Sequence, residues 1–115
     1  MDIRLEEKVE LIENWLRERK ADDIVSIDVR DKCSFTEYII VCHGTATLHN
    51  RAIADHVLDK CYENKVRILG KEGMQTGVWI LIDLNDVIVH VFSEEMKETY
   101  NLEDLWTKKI TIQDI

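Results

Sequence analysis

Two apolar, alternating runs separated by a short polar turn occupy the stretch Val78–Phe92. The turn is Asn85-Asp86, and both residues tolerate left-handed backbone, so the pattern predicts a β-hairpin with a two-residue loop. A loop of this length fixes the register, with Leu84 opposite Val87 and the remaining pairs following in step. Because side chains alternate between the two faces of a strand, every residue of the hairpin is thereby assigned to one face.

The two faces of the predicted hairpin differ in chemistry. One is entirely aliphatic and is expected to face the core: Ile80, Ile82, Leu84, Val87, Val89 and Val91. The other combines large aromatic residues with a carboxylate and an imidazole: Trp79, Leu81, Asp83, Ile88, His90 and Phe92. Such a mixture is typical of a surface that binds a partner. The same face would be ordinary core if a helix covered it, since an exposed apolar patch needs a reason.

Size and charge limit the classes of function. The chain has 115 residues, which is enough for one domain with one core. Its 45% hydrophobic and 33% charged residues are typical of a folded globular protein. The net charge of -8 argues against direct, sequence-specific binding of nucleic acid, because that function needs clustered Lys and Arg. The same acidity would speed the encounter with a basic protein.

The sequence gives no sign of export, membrane insertion or a metal centre. Its N-terminus lacks the apolar core of a signal peptide, and no apolar run is long enough to cross a bilayer, so we expect a cytoplasmic protein. Cys33, Cys42 and Cys61 form no C-x-x-C pair and have no metal-ligand spacing. They indicate reduced, mostly buried thiols, and we expect neither a metal nor another cofactor.

Periodicity along the whole chain predicts an α/β (α+β) fold. Helical spacing of apolar residues predicts one helix from Leu5 to about Lys20, and a second that is capped by Thr45 or Thr47 and ends at Asn64. Strands are predicted at Asp23–Val29, Tyr38–Cys42 and Val66–Leu69, in addition to the two hairpin strands. A last helix is predicted to begin at Ser93. The second helix then makes a parallel crossover in a mixed, mainly five-stranded sheet flanked by helices. We assign residues 1–115 to this single domain, with 108–115 as a flexible tail.

The predicted second helix and the turn before it contain two candidate chemical sites. His49 and His56 are seven residues apart, whereas metal pairs on helices usually stand four apart, so they are interpreted as exposed helix histidines. Gly44-Thr45 precedes the helix, where phosphate can bind. The turn lacks the glycines and lysine of a phosphate-binding loop, and it favours a simple capped turn.

The polar residues of the hairpin give no clear catalytic site either. Asp83 and Asp86 point in different directions in the predicted register, which disfavours a shared metal ion. His90 has no obvious nucleophile to activate. The alternative that remains open is a nucleotidyltransferase-like, nucleotide-binding enzyme that uses Gly44-Thr45 and Asp83.

An ordered series of segments resembles the ribosomal silencing factor family, also called RsfS or Iojap. The segments are Ala21–Val29, Ser34–Thr47, Ile53–Val57, Gly77–Asp83, Asp86–Phe92 and Tyr100–Trp106. The resemblance extends from about Leu5 to Trp106. Its most specific part is D-V-I-V-H-V-F at Asp86–Phe92 followed by Y-N-L-E-D-L-W at Tyr100–Trp106.

The resemblance implies a translational repressor without enzymatic activity. Family members bind the large ribosomal subunit through its protein number fourteen, block joining of the small subunit sterically, and lower translation when nutrients are scarce, as in stationary phase. Organellar relatives assist assembly of the large subunit. The implied fold is similar to nucleotidyltransferases but lacks their catalytic carboxylates.

The resemblance also implies which residues bind the partner. The family's binding surface corresponds here to Trp79, Leu81, His90 and Phe92, with Tyr100 and Trp106 nearby. The hairpin register adds Asp83 and Ile88, which share the same predicted face. A homodimer formed through this face is an arrangement that the sequence leaves open.

Overall fold

The computed structural model describes residues 4–32, 34 and 36–93, which form two helices and five strands. In chain order these are α1 (Leu5–Glu18), β1 (Asp22–Asp28), β2 (Tyr38–Gly44), α2 (Thr47–Glu63), β3 (Gly70–Glu72), β4 (Trp79–Asp83) and β5 (Val87–Ser93). The predicted helix after Ser93, the predicted tail at 108–115, and Tyr100 and Trp106 lie outside the described residues.

The five strands form one mixed sheet in the order β1-β2-β5-β4-β3. Strands β2 and β5 run parallel, joined by a connection that includes α2, while the other neighbouring pairs are antiparallel. The predicted mixed five-stranded sheet with a parallel crossover is confirmed. Neither helix in the described part of the chain combines the length and the apolar composition needed to cross a bilayer.

Both described helices pack on the same side of the sheet, which we call the helix-side face. Helix α1 forms because apolar residues recur on one side of it, and Val9, Ile12, Trp15 and Leu16 are all buried. They share one core with the buried side of α2 and with alternate residues of β2, β4 and β5. Cys42 and Cys61 are free thiols inside this core, as predicted, while Cys33 lies outside the described residues.

The opposite side of the sheet, which we call the distal face, carries the other alternate residues of the three central strands. They are Ile39, Val41 and His43 of β2, Trp79, Leu81 and Asp83 of β4, and Ile88, His90 and Phe92 of β5. The buried residues Val29, Ile39, Val41 and Phe92 form a second, smaller cluster on this side. The sheet therefore has one face built into the main core and one with a separate, mixed composition.

The third strand is not where the sequence predicted it. Val66–Leu69 is not a strand, and β3 instead lies directly after it, at Gly70–Glu72. Val66 and Ile68 pack against the helix-side core, so their alternating pattern reports burial beside α2 and not strand pairing. Pairing with β4 begins at Gly70, which lies opposite Asp83.

The predicted N-cap of α2 differs from the structure, whereas the predicted end of the helix at Asn64 is confirmed. The N-cap position is occupied by Ala46, whose side chain makes no capping bond, and Thr47 is the first helical residue. Thr45 instead directs its backbone N–H and its Oγ1 toward His49 Nδ1, at 2.9 and 3.3 Å. At the other end Asn64 is the C-cap with φ −101°, and the next residue, Lys65, is left-handed with φ 57°.

Candidate partner-binding face

The hairpin that carries the candidate residues has the predicted register. Trp79 pairs with Phe92 and Asp83 pairs with Ile88. The Leu84 N–H donates to the Val87 carbonyl at 2.9 Å, which closes the turn. Within the turn Asn85 takes φ 80°, and its N–H donates to Asp83 Oδ1 at 2.9 Å. Asp83 thus stabilises the left-handed residue that sets the register of the whole face.

The six described candidate residues lie at two depths. Trp79, Leu81 and Asp83 of β4 are half-buried. The three residues of the central strand β5 are buried: Ile88 is 5% exposed, His90 4% and Phe92 1%. A partner therefore has access mainly to the β4 residues in this arrangement, while the β5 residues lie beneath and beside them.

Phe92 supports the indole ring of Trp79. The two ring centroids are 4.9 Å apart with the planes tilted by 46°, a separation typical of a favourable aromatic pair. On its other side Phe92 stacks almost parallel to His90, with centroids 5.7 Å apart. Val29 after β1 and Ile39 and Val41 of β2 complete the surroundings of Phe92. The ring of Trp79 consequently rests on a packed apolar support.

A hydrogen bond fixes the orientation of Trp79. Its Nε1–H donates to His90 Nδ1 at 3.0 Å. Because Nδ1 accepts the hydrogen bond from the indole N–H, the neutral imidazole carries its own proton on Nε2. Burial lowers the pKa of His90 from 6.5 to about 4, so the ring is neutral at physiological pH and remains an acceptor. His90 is therefore a positioning residue for Trp79.

The edge strand β3 adds charge to the distal face without adding bulk at Asp83. Gly70 lies opposite Asp83, and a Cβ placed on Gly70 would meet no atom within 4 Å. Glu72 lies opposite Leu81 and is exposed. Paired residues project to the same side of a sheet, so two carboxylates flank Leu81 on the accessible part of the face. This arrangement favours a partner that carries positive charge.

The residues of the enzymatic alternative lie at opposite ends of the sheet. Gly44 pairs with Ser93, whereas Asp83 pairs with Ile88. The two rows are five residue steps apart along β5, which corresponds to about 16 Å. A nucleotide bound at the Gly44 turn would therefore not meet the Asp83 carboxylate through a short contact.

Two backbone donors of the Gly44 turn are already engaged. The Gly44 N–H donates to Asn50 Oδ1 at 2.8 Å, and the Thr45 N–H donates to His49. A phosphate site at a helix N-terminus needs such N–H groups to be available. Across residues 4–32, 34 and 36–93, no group of three or more His, Cys, Asp or Glu side chains is arranged to hold a metal ion.

Sequence reasoning missed the structural role of Asn50. The side chain is fully buried, accepts from the Gly44 N–H, and donates from Nδ2 to the Gly77 carbonyl at 2.7 Å. It thereby joins the turn after β2 to the segment that leads into Trp79. A signal was present, because the buried row formed by Ile53, Val57 and Cys61 reaches Asn50 when it is extended by one turn.

The two helix histidines are not simply exposed, as the sequence had suggested. His49 Nε2 lies 2.7 Å from the Arg19 carbonyl, and His56 Nε2 lies 2.7 Å from Glu18 Oε1. The hydrogen bond from His56 lowers the pKa of the Glu18 carboxyl. Both histidines therefore join α2 to the end of α1. No periodic pattern reports such a contact, because it depends on how the two helices pack.

Comparison with known proteins places the chain in a family. The model of the family described as "Ribosomal silencing factor during starvation" matches residues 2–115. Ribosomal silencing factor RsfS of Haemophilus influenzae is 39% identical over 98 residues, which cover 85% of this chain and 96% of that protein. RsfS of Bacillus subtilis is 36% identical over 89 residues, which cover 77% and 75%.

The structural comparison agrees. A crystal structure of a Chromobacterium violaceum protein superimposes with a TM-score of 0.89 at 31% identity, covering 94% of this chain and 90% of that one. A Bacillus halodurans crystal structure gives a TM-score of 0.80 at 33% identity, covering 88% and 94%. Given the family match over nearly its whole length, the chain belongs to the ribosomal silencing factor (RsfS) family.

Proposed function

We propose that this protein binds the large ribosomal subunit through the subunit's protein number fourteen and represses translation in the cytoplasm when nutrients are limiting. The observation that carries the proposal is the distal face of an RsfS-family chain, on which the half-buried Trp79, Leu81 and Asp83 lie together on β4. Ile88, His90 and Phe92 hold that set in position from β5. Tyr100 and Trp106 belong to the proposed surface by family resemblance alone.

The chemistry of the face suits a basic protein surface. A tryptophan whose ring is already packed and hydrogen-bonded loses little conformational freedom on binding, which favours it as an anchor. Carboxylates at Asp83 and Glu72 would pair with cations at the rim. The net charge of -8 would raise the rate of encounter with a positively charged partner.

Repression by this route needs no chemical step. If the protein occupies the surface where the small subunit joins, both cannot be bound there at once, and the fraction of joined ribosomes falls as the protein concentration exceeds its Kd. The wide separation of Gly44 and Asp83 agrees with a role that depends on binding and not on catalysis.

Co-sedimentation of the purified protein with separated ribosomal subunits tests the proposal. The wild type should migrate with the large subunit. Leu81→Glu places a charge at the centre of the accessible face and should weaken binding by roughly 30-fold, the equivalent of about 2 kcal/mol for an interface anchor. The matched control is Leu48→Glu, since Leu48 is 72% exposed on α2, away from the distal face.

The control also addresses folding, because both variants carry the same substitution and should keep the wild-type circular dichroism spectrum. Leu48→Glu should bind like the wild type. Failure of the wild type to migrate with large subunits would overturn the proposed function. Equal binding by Leu81→Glu and the wild type would overturn the assignment of the distal face.

A role in assembling the large subunit is a second candidate, which the name of one relative favours. "Mitochondrial assembly of ribosomal large subunit protein 1" of Mus musculus is 33% identical over 103 residues, which cover 86% of this chain and 45% of that protein. An assembly role predicts that cells without the protein accumulate incomplete large subunits during growth. A purely repressive role predicts complete subunits and excess translation during starvation.

A further inference from the structure

A segment of this acidic protein near one edge of the sheet carries a local positive charge. Lys60–Lys71 contains four Lys or Arg residues and a single Glu, a net charge of +3 in a chain whose total is -8. The segment includes the end of α2, the connection to β3 and the first two residues of that strand. Its charge is therefore concentrated at one edge of the sheet.

Exposure alternates along this segment. Lys65, Arg67, Leu69 and Lys71 are exposed, while the residues between them are half-buried. Val66 and Ile68 pack against the helix-side core and hold the segment against the protein. Lys65, Arg67 and Lys71 are thus three exposed cations within seven residues of the chain, and we call them the cationic line.

These three cations take part in no ion pair with the described residues. Ion pairs there engage other cations: Arg4, Lys8, Arg17, Arg30 and Lys60, besides two histidines. Glu63, the only acidic residue of the segment, pairs with Lys60 and not with any of these three cations. Lys65, Arg67 and Lys71 are consequently available to an anionic partner.

An exposed aromatic ring accompanies the cations. Tyr62, in the last turn of α2, is 78% exposed, and its carbonyl accepts from the Lys65 N–H at 3.3 Å, which places the two residues in one turn. Proteins bind single-stranded RNA with two features: cations along the RNA backbone, and an aromatic ring on which a base can stack. An acidic protein partner would pair with the cations but would have less need of the aromatic ring.

The segment borders the proposed partner-binding face. The Leu69 N–H donates to the Asp83 carbonyl at 2.8 Å, and Lys71 pairs with Ile82 of β4. Because Lys71 pairs with Ile82, its side chain projects to the helix-side face, so a ligand along the segment would lie at the edge of the sheet and leave Leu81 and Asp83 accessible. A large ribosomal subunit presents both protein and RNA, so one docked orientation can use both surfaces.

We propose that Lys65, Arg67 and Lys71, with Tyr62, bind the phosphate backbone of ribosomal RNA next to the protein contact made by the distal face. This inference rests on the proposed association with the large subunit. The net charge gives no sign of this contact, because a total of -8 conceals a local cationic edge. The binding is independent of sequence, since the three cations face phosphates and stacking accepts any base.

Salt dependence of binding to purified large subunits tests the cationic line. Lys65→Gln/Arg67→Gln/Lys71→Gln removes three charges, and the matched control Arg4→Gln/Arg17→Gln/Arg19→Gln removes three exposed charges from α1 and the turn after it. The first variant should lose about tenfold in affinity at low salt, and its slope of log affinity against log salt should fall by about 2. The control should keep the wild-type slope.

Ultraviolet cross-linking identifies what Tyr62 contacts. Wild-type protein bound to large subunits should form a nuclease-sensitive cross-link to RNA, and Tyr62→Ala should lose it. An unchanged salt slope in the triple variant, with the wild type still bound, would overturn the inference and leave the proposed function standing. A cross-link to a ribosomal protein that resists nuclease would also overturn it, in favour of an acidic protein partner.

A purely structural role of the cations makes a different prediction. Lys65 follows the C-terminus of a helix and Lys71 lies on an edge strand, positions where a cation is favourable in any protein. Such roles would lower the thermal stability of the triple variant without changing its salt slope. Melting curves of the three proteins therefore accompany the binding measurement, and a changed slope with unchanged melting supports the RNA contact.

Discussion

The two faces of the β4–β5 hairpin share the same backbone and yet differ in how they are built. On the helix-side face, the hairpin residues are all aliphatic and fully buried beneath α1 and α2: Ile80, Ile82, Leu84, Val87, Val89 and Val91. On the distal face, side chains from the same two strands include an indole, an imidazole and a carboxylate. Their burial ranges from almost complete at Phe92 to partial at Leu81.

The difference would allow one element to serve both stability and the proposed recognition. Packing of the hairpin residues on the helix-side face depends on side-chain volume and buried apolar area, and not on specific polar contacts. The distal face depends on directed contacts, such as the hydrogen bond from Trp79 to His90 and the ring pair of Trp79 with Phe92. We therefore expect substitutions on the first face to change folding and those on the accessible part of the second to change binding.

The largest expected effect contrasts two neighbouring residues of β4. Ile82→Ala removes a fully buried side chain from the main core and should lower the free energy of unfolding by about 3 to 4 kcal/mol. Leu81→Ala removes a half-buried side chain and should cost about 1 kcal/mol. Urea unfolding of the two variants measures the contrast, and equal losses would show that the two faces are not divided as described.

Acid should destabilise the distal face through His90. Its pKa is about 4 when folded against 6.5 when unfolded, so the unfolded chain takes up a proton first as the pH falls. The contribution of His90 to the free energy of unfolding is therefore fully present above pH 6.5. It is lost as the pH falls from 6.5 to 4, by up to about 3 kcal/mol.

The matched variant for this effect is His90→Gln, which cannot gain a charge. The difference between the pH profiles of wild type and variant isolates His90 from the other titrating groups. We expect the wild type to lose more stability than the variant over this range. Parallel profiles would contradict the buried, neutral imidazole.

A smaller effect should follow from Trp79→Phe. This change keeps an aromatic ring near Phe92 but removes the Nε1–H that binds His90, so it should lower stability by about 1 kcal/mol. Binding to large subunits should weaken severalfold, because the anchor loses its fixed orientation. Thermal unfolding and co-sedimentation report the two effects separately, and wild-type values in both would show that the hydrogen bond has no role.

The hairpin could be predicted from sequence because its information is local. The two-residue turn at Asn85 sets the register, and alternation then assigns every side chain to a face. Alternation does not predict depth, however. Phe92 is buried because Val29, Ile39 and Val41 lie around it, and those residues come from distant parts of the chain.

The elements that sequence reasoning misplaced depend on tertiary contacts. The short strand β3 has only three residues, Gly70–Glu72, and carries no apolar alternation of its own, so its pairing with β4 leaves no local signal. The start of α2 follows from the contacts of Asn50 with Gly44 and Gly77, which compete with ordinary side-chain capping by threonine. The cationic line at Lys65, Arg67 and Lys71 became apparent only when burial had separated exposed from packed residues.

A subunit-joining assay tests the central claim most directly. Large subunits are incubated with the protein, small subunits are added, and joined ribosomes are quantified on a sucrose gradient. The account predicts that the wild type and Leu48→Glu lower the yield of joined ribosomes in proportion to their occupancy of the large subunit, while Leu81→Glu leaves it unchanged. Full joining in the presence of bound wild-type protein would contradict a steric repressor that acts through the distal face.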